Sequence, residues 1–413
     1  MKIAPSTSGN VPLSRNRDFA LLWTGQALSS LGSQTGGIAY PLLALALTHS
    51  PAKAGVVAFA LSLPYTLFVL PAGVIADRVD RKRLMLASDV GRALAVASLV
   101  VAHAFGHLTF AQLAIVAFVE GTFRPFFNIA QFGAIRQVVP PPQIPEAIAR
   151  DESRMFGAMV AGPPLGGVLY GVGRILPFLV DALSYAFSLA SLLAMRTPFQ
   201  EARVEPRGRL REELQAGARF LWAQPFLRTC ALMFAVSNVA ASALFFLVIV
   251  VAREQGLSSA TIGVLLAASG VVGLAGSFAA PPLQRRLPVR LAVIVPQWTA
   301  IALVPFLVQP NAYLLFAAAL PFTFLSPLLN SVVIGYRTAI TPPALQGRVN
   351  SAARFVAMLV SPLGPLAAGA LLEATSARAT VVVVTVWLLT VAAATSLSGS
   401  IRAAPSLAAL QPD

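Results

Sequence analysis

The sequence predicts an all-α membrane protein, with twelve transmembrane helices arranged as two pseudo-symmetric six-helix bundles. Three observations carry that prediction. The chain is 57% apolar and only 11% charged, with a mean hydropathy of +0.75. It holds a dozen apolar stretches, each near the roughly 20 residues that cross a hydrocarbon core about 30 Å thick. Residues placed in the first six stretches also return at matching places in the last six.

The stretches run over residues 19–47, 54–76, 84–105, 109–138, 152–171 and 175–196, then 226–251, 259–283, 290–308, 312–337, 349–373 and 379–400. Pro and Gly inside them do not veto helices, because in lipid neighbouring helices satisfy the backbone groups that a proline frees. The longest polar insertion separates six stretches from six. It divides the chain into an N-terminal bundle over 1–196, a cytoplasmic linker over 197–224 and a C-terminal bundle over 225–413. Within the linker, Leu210, Leu214 and Leu221 share one helical face while Arg211, Glu212 and Arg219 lie elsewhere, which predicts a helix on the inner leaflet.

The net charge of +14 is spread over short loops, so no basic domain exists to grip a nucleic acid, and none is expected as a partner. The charge follows the positive-inside rule instead. With the N-terminus inside, the inner loops hold Lys2, Arg15, Arg17, Arg78, Arg81, Lys82, Arg83, Arg136, Arg150, Arg154, Arg196 and the run from Arg203 to Arg219. The second half continues with Arg285, Arg286, Arg290, Arg337, Arg348 and Arg402, against only Lys53, Arg174, Arg253 and Arg378 outside. Both termini are therefore expected in the cytoplasm. The first apolar stretch is too long for a signal-peptide core, so no cleavage is expected. The one cysteine, Cys230, excludes a disulfide framework, and His49, His103 and His107 fall near outer loops, where solvated histidines are the default, so no metal site is expected.

Around the fifth stretch stand Pro145, Arg150, Ser153, Pro164-Leu165-Gly166 and Gly171. Around the eleventh stand Pro343, Arg348, Ser351, Pro362-Leu363-Gly364 and Gly369, each offset by 198. Pro125, Asn128 and Gly133 return as Pro327, Asn330 and Gly335 at an offset of 202. An even number of spans per half gives both halves the same orientation. Such folds bind substrate near the midplane between the halves and alternate access by rocking.

Between the second and third stretches the chain reads Gly73-Val-Ile-Ala-Asp77-Arg78-Val-Asp-Arg81-Lys82-Arg83. This resembles the signature loop of the major facilitator superfamily, although Asp80 stands where that loop usually has Gly. The resemblance implies a cytoplasmic gate in which Asp77 meets the start of the eleventh stretch at Gly347-Arg348, with Gly73, Arg78, Arg81 and Lys82 as its other members. Asp89 and Arg92 are placed with the same gate cluster. Gly162-Pro163-Pro164-Leu-Gly166-Gly167 resembles a motif of the twelve-span drug:proton antiporters, with Ala158 replacing an upstream Gly; its small residues allow close helix approach, and its prolines permit a bend. Asn16-Arg17-Asp18-Phe19 with Trp23 and Gln26, and the late Gly347-Arg348-x-Asn350-Ser351, are similar to macrolide-efflux and enterobactin-export proteins.

Ionisable residues inside a membrane are costly and point to function. Glu120 falls near the midplane of the fourth stretch, with Arg124 one turn on, where the two can pair. Two readings stay open: Glu120 titrates during the cycle, or it forms a permanent pair with Arg124 that aligns helices. Asp181 is a second candidate for proton coupling, placed toward an outer vestibule. Phe123 and Phe127 share the face of Glu120 and Arg124; with Arg124, Asn128 and Gln26 they are the candidate lining of a substrate cavity.

No Gly-x-x-x-x-Gly-Lys loop and no catalytic-triad spacing occurs, so neither ATP nor an enzymatic reaction is expected, and no cofactor beyond a proton gradient. The expected function is a monomeric, multi-pass exporter of lipophilic or amphipathic, drug-like small molecules. It would sit among the lipids of a bacterial cytoplasmic (inner) membrane and work by proton antiport. Alternatives are a dedicated siderophore or metabolite exporter, a lysophospholipid transporter, and a non-transporting sensor on the same scaffold.

Overall fold

A computed structural model describes residues 12–199 and 210–405, without the side chains of Ser14, Asp77, residues 210–214 and Ala344. Lys2, the residues from Arg203 to Arg209, and the side chains of Asp77, Leu210, Arg211, Glu212 and Leu214 therefore lie outside the described residues.

All twelve apolar stretches are helical. The first half comprises α1 (Arg17–Thr48), α2 (Pro51–Arg78), α3 (Arg81–Ala104), α4 (Phe110–Val138), α5 (Ile144–Val172) and α6 (Leu176–Ala194). After the linker helix α7 (Leu210–Ala223) come α8 (Pro225–Glu254), α9 (Ser259–Arg286), α10 (Val289–Trp298) and α11 (Val304–Val308). The chain closes with α12 (Ala312–Ile340), α13 (Gln346–Leu359), α14 (Leu363–Ala374), α15 (Ala377–Leu397) and the short α16 (Gly399–Arg402). Among the described residues, eleven spans, counting α10–α11 and α13–α14 as one each, are long and apolar enough to cross a membrane. The twelfth, α1, has 32 residues but is diluted by Gln26, Ser29, Ser30, Ser33 and Gln34, all of which line an internal cavity.

Helix α5 begins eight residues before the apolar stretch at 152, at Ile144, with Pro145 in its first turn, where the missing N–H costs no intrahelical bond. The extension carries Glu146, Arg150 and Asp151, polar residues that hydropathy alone assigns to a loop. Pro163 and Pro164 do not interrupt α5, which stays helical to Val172. The ninth and eleventh stretches, expected as single helices, are broken instead. Residues Thr299–Leu303 wind as a 3-10 helix ahead of Pro305. The α-helical hydrogen-bond ladder is interrupted again between α13 and α14, where residues 360–362 form a turn ending at Pro362. Proline lacks an N–H and its ring clashes with the carbonyl one turn earlier. The second break is healed from α8: Asn238 Nδ2 donates to the Ala357 carbonyl at 2.9 Å, and Ser242 Oγ to that of Ser361 at 2.7 Å. In lipid such side-chain donors replace the absent water.

The two halves repeat each other's packing. Helix α5 packs on α1 within its half and on α9 of the other; α14 packs on α8 within its half and on α2 of the other. Both cross-half seams lie toward the end predicted to be outer. Gly167 meets the Ser259 carbonyl, and Gly263 that of Pro163. A methyl on Gly55 would stand 2.5 Å from the Pro365 carbonyl oxygen, and one on Gly369 2.5 Å from that of Pro51. Only glycine permits backbones this close. Beside the second seam, Ser50 Oγ and the Ala52 N–H both donate to Glu373 Oε2, the latter at 2.9 Å, so a carboxylate of the second half caps the N-terminus of α2. At the other end, Gly217 brings α7 against the backbone of Arg348, and Leu221 is buried, so α7 packs on α13 and α8 of the bundle.

Candidate functional site

A cavity of about 720 Å³ lies among α1, α2, α4 and α5, faced from the second half by α13 and the break after it. Gln26, Arg124, Phe127 and Asn128 line it, as the sequence predicts. Phe123 does not: its ring lies over Gly91 and fills the contact between α3 and α4, because one residue's offset on a helix turns the side chain by about 100°.

Under the cavity wall lies a hydrogen-bonded network of charged and hydroxyl side chains. Glu120, 5% exposed, accepts from the Tyr40 hydroxyl at 2.6 Å and from the Tyr185 hydroxyl at 3.2 Å. Among the described residues it makes no ion pair with Arg124, which stands in the cavity wall instead. Two buried hydroxyls, from α1 and α6, bond the carboxylate in place of an i, i+4 pair with Arg124. Tyr185 Oη also lies 2.9 Å from Ser33 Oγ, and Ser33 Oγ is 3.0 Å from the Ser29 carbonyl. Since Ser33 lines the cavity, the chain Ser33–Tyr185–Glu120 runs from the cavity to the buried acid.

Asp89 and Arg92 belong to this network and not to a cytoplasmic charge cluster. They lie eight and eleven residues into α3 from Arg81, or about 12 and 16 Å along the axis. Both are buried, paired at 2.6 Å, and the second carboxylate oxygen of Asp89 accepts from Ser188 Oγ at 2.6 Å. Gln26 Nε2 in turn donates to Ser188 Oγ at 2.9 Å. The Arg92 guanidinium stacks between Tyr185 and Phe127, 4.4 and 4.7 Å from the ring centroids. A cation removed from water gains most from such ring faces, about 2 kcal/mol or more. Asp181 is fully buried against Gly32 and Gly36 of α1 rather than open to an outer vestibule, and its Oδ2 has no hydrogen-bond partner among the described residues.

A second group stands nearer the predicted inner end. Arg154 pairs with Asp151 at 2.7 Å and donates to the Gln26 carbonyl at 2.8 Å and to Ser30 Oγ at 2.5 Å. Gln131 Nε2 donates to the same Asp151 at 3.0 Å. Of the gate residues, Lys82 Nζ donates to the Met195 carbonyl at 2.7 Å and ties α3 to the end of α6, while Arg81 lies over Gly133. Arg78 ends α2, Gly73 faces open space, Arg348 lies against Gly217, and the Asp77 side chain is outside the described residues. Gly162 and Gly166 seat α5 on Gln34 and Thr35 of α1, whereas Pro163 and Gly167 form the seam with α9, so the motif is a two-sided packing surface with no break in the helix.

The opening signature is structural at its start. Asn16 caps α1 at the Phe19 N–H, Asp18 accepts from the backbone of Arg196 and Thr197, and Trp23 Nε1 donates to the Arg150 carbonyl. Tyr40, Tyr185 and Ser188 were not legible as site residues. The available signal is the i, i+3, i+4, i+7 spacing of Asp181, Ser184, Tyr185 and Ser188 on α6, which puts a polar stripe on an otherwise apolar span. Among the described residues, His, Cys, Asp and Glu form no group of three or more able to hold a metal ion.

The chain resembles known transporters over most of its length. It is 27% identical over 365 residues to the multidrug efflux pump Tap of Mycolicibacterium fortuitum, covering 83% of this chain and 86% of that one. It is 26% identical over 191 residues to macrolide efflux protein A of Streptococcus pyogenes, covering 45% and 46%. In fold it is similar to a bacterial homologue of the human lysosomal transporter Spinster in its inward-facing, unoccupied conformation: TM-score 0.73, 16% identity, covering 97% and 99%. A bacterial homologue of the iron transporter ferroportin, inward-facing, superposes with a TM-score of 0.68 at 15% identity, covering 91% and 98%. The family described as transmembrane secretion effector matches residues 7–406, and the chain is a multi-pass membrane transporter of that family, within the major facilitator superfamily.

Proposed function

We propose that this transporter exports lipophilic or amphipathic small molecules by proton antiport, with the cavity as the substrate site and Glu120 as the proton carrier. The observation that carries the reading is the hydroxyl chain from Ser33 through Tyr185 to Glu120, which meets the needs of both forms of the acid. Ionised, Glu120 accepts from Tyr40 and from Tyr185, and Ser33 donates to Tyr185. Protonated, it donates to Tyr185, which donates to Ser33, which donates to the Ser29 carbonyl. Neither form leaves a buried donor or acceptor unmatched along the chain, so the hydrogen-bond network accommodates both.

The named efflux relatives support drug-like substrates and the export direction. The cavity, with the glycine seams closed at the opposite end, supports alternating access starting from a state open to the cytoplasm; Asp77, Arg78, Arg81, Lys82 and Arg348 would then close the inner side. The same reading takes 1–196 and 225–413 as the two rocking units, both termini as cytoplasmic, and a monomer in a bacterial inner membrane as the working form.

The test uses purified protein in liposomes with an imposed pH gradient and an internal pH dye. Substrate-dependent proton movement that disappears in Glu120→Gln supports the reading. Unchanged gradient-driven transport in that variant removes Glu120 as the carrier.

A further inference from the structure

We infer that the cavity selects amphiphiles with an anionic head, carboxylate or phosphate, bound jointly by Arg124 of the first half and Arg354 of the second. This rests on the reading of the cavity as the substrate site and narrows its substrate class.

Four arginines line the cavity: Arg92, Arg124, Arg154 and Arg354. Two are already matched, Arg92 by Asp89 and Arg154 by Asp151. Arg124 and Arg354 have no hydrogen-bond or ion-pair partner among the described residues. The remaining carboxylates near the wall, Glu120 and Asp181, are not part of the lining; the first is capped by two tyrosines, the second packed on α1. Among the described residues the second half offers Arg354 no carboxylate nearby, since no Asp or Glu occurs between Glu254 and Glu373, and these two end α8 and α14 at the far side of the bundle. Two unmatched guanidiniums facing one cavity attract a planar oxyanion, which each can grip with two parallel hydrogen bonds.

The rest of the lining suits the tail of such a molecule. Met155, Met159, Met358, Phe132 and Phe156 add unbranched thioethers and rings that adapt to varied apolar shapes. Placing the two arginines on different halves also links recognition to motion. Like charges resist the approach of α13 to α4 when the inner side closes, and an anion between them removes that resistance and pulls the halves together.

The decisive experiment measures binding to the purified full chain in detergent, and transport in liposomes, for four probes. These are 1-naphthylacetate as a free organic acid, oleoyl lysophosphatidate as a lipid phosphate, the cation ethidium and neutral chloramphenicol. The expected result is at least tenfold tighter binding of one or both anions than of ethidium. Arg124→Gln and Arg354→Gln should each weaken anion binding fivefold or more, Arg124→Lys and Arg354→Lys should retain most of it, and exposed Arg286→Gln should change nothing. Which anion binds separates the free acid from the lipid headgroup. Ethidium binding as tightly as either anion, or anion affinity unchanged in the folded Arg124→Gln and Arg354→Gln variants, overturns the inference. Ethidium pumped while both anions are neither bound nor moved discards the anion site and leaves the transport reading standing. Arginine-dependent anion binding without flux of any probe supports the site and discards the transport reading.

Discussion

The Tyr185 hydroxyl lies 3.2 Å from Glu120 Oε1 and 2.9 Å from Ser33 Oγ, so one side chain of α6 joins a buried acid of α4 to the cavity face of α1. Removing that hydroxyl should break the path without removing the acid. Tyr185→Phe is expected to slow gradient-driven transport by about tenfold or more, the scale of one lost hydrogen bond to a charged group. Substrate binding at equilibrium should change far less. A pH-jump assay in liposomes, run beside a binding isotherm, checks both halves of the statement.

Tyr40 holds the other oxygen of Glu120 at 2.6 Å and does not contact the cavity. Tyr40→Phe should therefore shift the pH at which transport is half-maximal while leaving the route through Tyr185 open. A pH–rate profile that superposes on the wild type counts against a proton role for this carboxylate.

Asp89 and Arg92 form a buried pair, and losing one partner strands the other charge. Asp89→Asn or Arg92→Gln alone is expected to destabilise the fold by about 3–5 kcal/mol, whereas the double variant should recover a large part of that loss. Thermal unfolding in detergent across the three variants gives the coupling directly.

The glycine seam between α5 and α9 has no room for a side chain at Gly167, which abuts the Ser259 carbonyl. Gly167→Leu should hold the seam open and abolish turnover in protein that still inserts and folds. Labelling of a cysteine introduced at Ser259, in a Cys230→Ser background, should rise in that variant relative to its Gly167 parent.

Glu373 joins the second half to the first through Ser50 and the N-terminus of α2. Glu373→Gln keeps the size and one acceptor but loses the charge, so closure at that end should weaken by roughly threefold in the open-to-closed ratio, the scale of a surface helix-terminus charge. Spin-label distances between α2 and α14 report this ratio. An unchanged distance distribution would show that this cap does not hold the outer end closed.

How far the sequence could be read differs between its features. Helices came from hydropathy, and the unbroken spans other than α5, whose polar first two turns hydropathy misses, agree within a few residues because an unpaired backbone in lipid is so costly that composition alone forces helix. The breaks at Thr299–Leu303 and Pro362 were not legible, since prolines at Pro163 and Pro164 sit inside a continuous helix. Whether a proline breaks the helix depends on what the neighbouring helix offers, and Asn238 and Ser242 lie more than a hundred residues from the gap they heal. Arg124, Asn128 and Gln26 stand out in the sequence because each departs in polarity from its apolar surroundings, and all three line the cavity. Asp89 and Arg92 were placed by their distance from the helix end, and the sequence does not show that Ser188 and two rings wait deeper in the bundle.

By itself the sequence determined the membrane class, the span count and the superfamily, because those follow from local hydrophobicity and from short motifs whose residues are neighbours in the chain. Only the tertiary structure decided which charges meet. Glu120 has Arg124 one turn away yet bonds to Tyr40 and Tyr185, 80 and 65 residues distant. A buried charge takes the partners whose geometry satisfies it at least desolvation cost, and packing, rather than sequence distance, sets which groups those are.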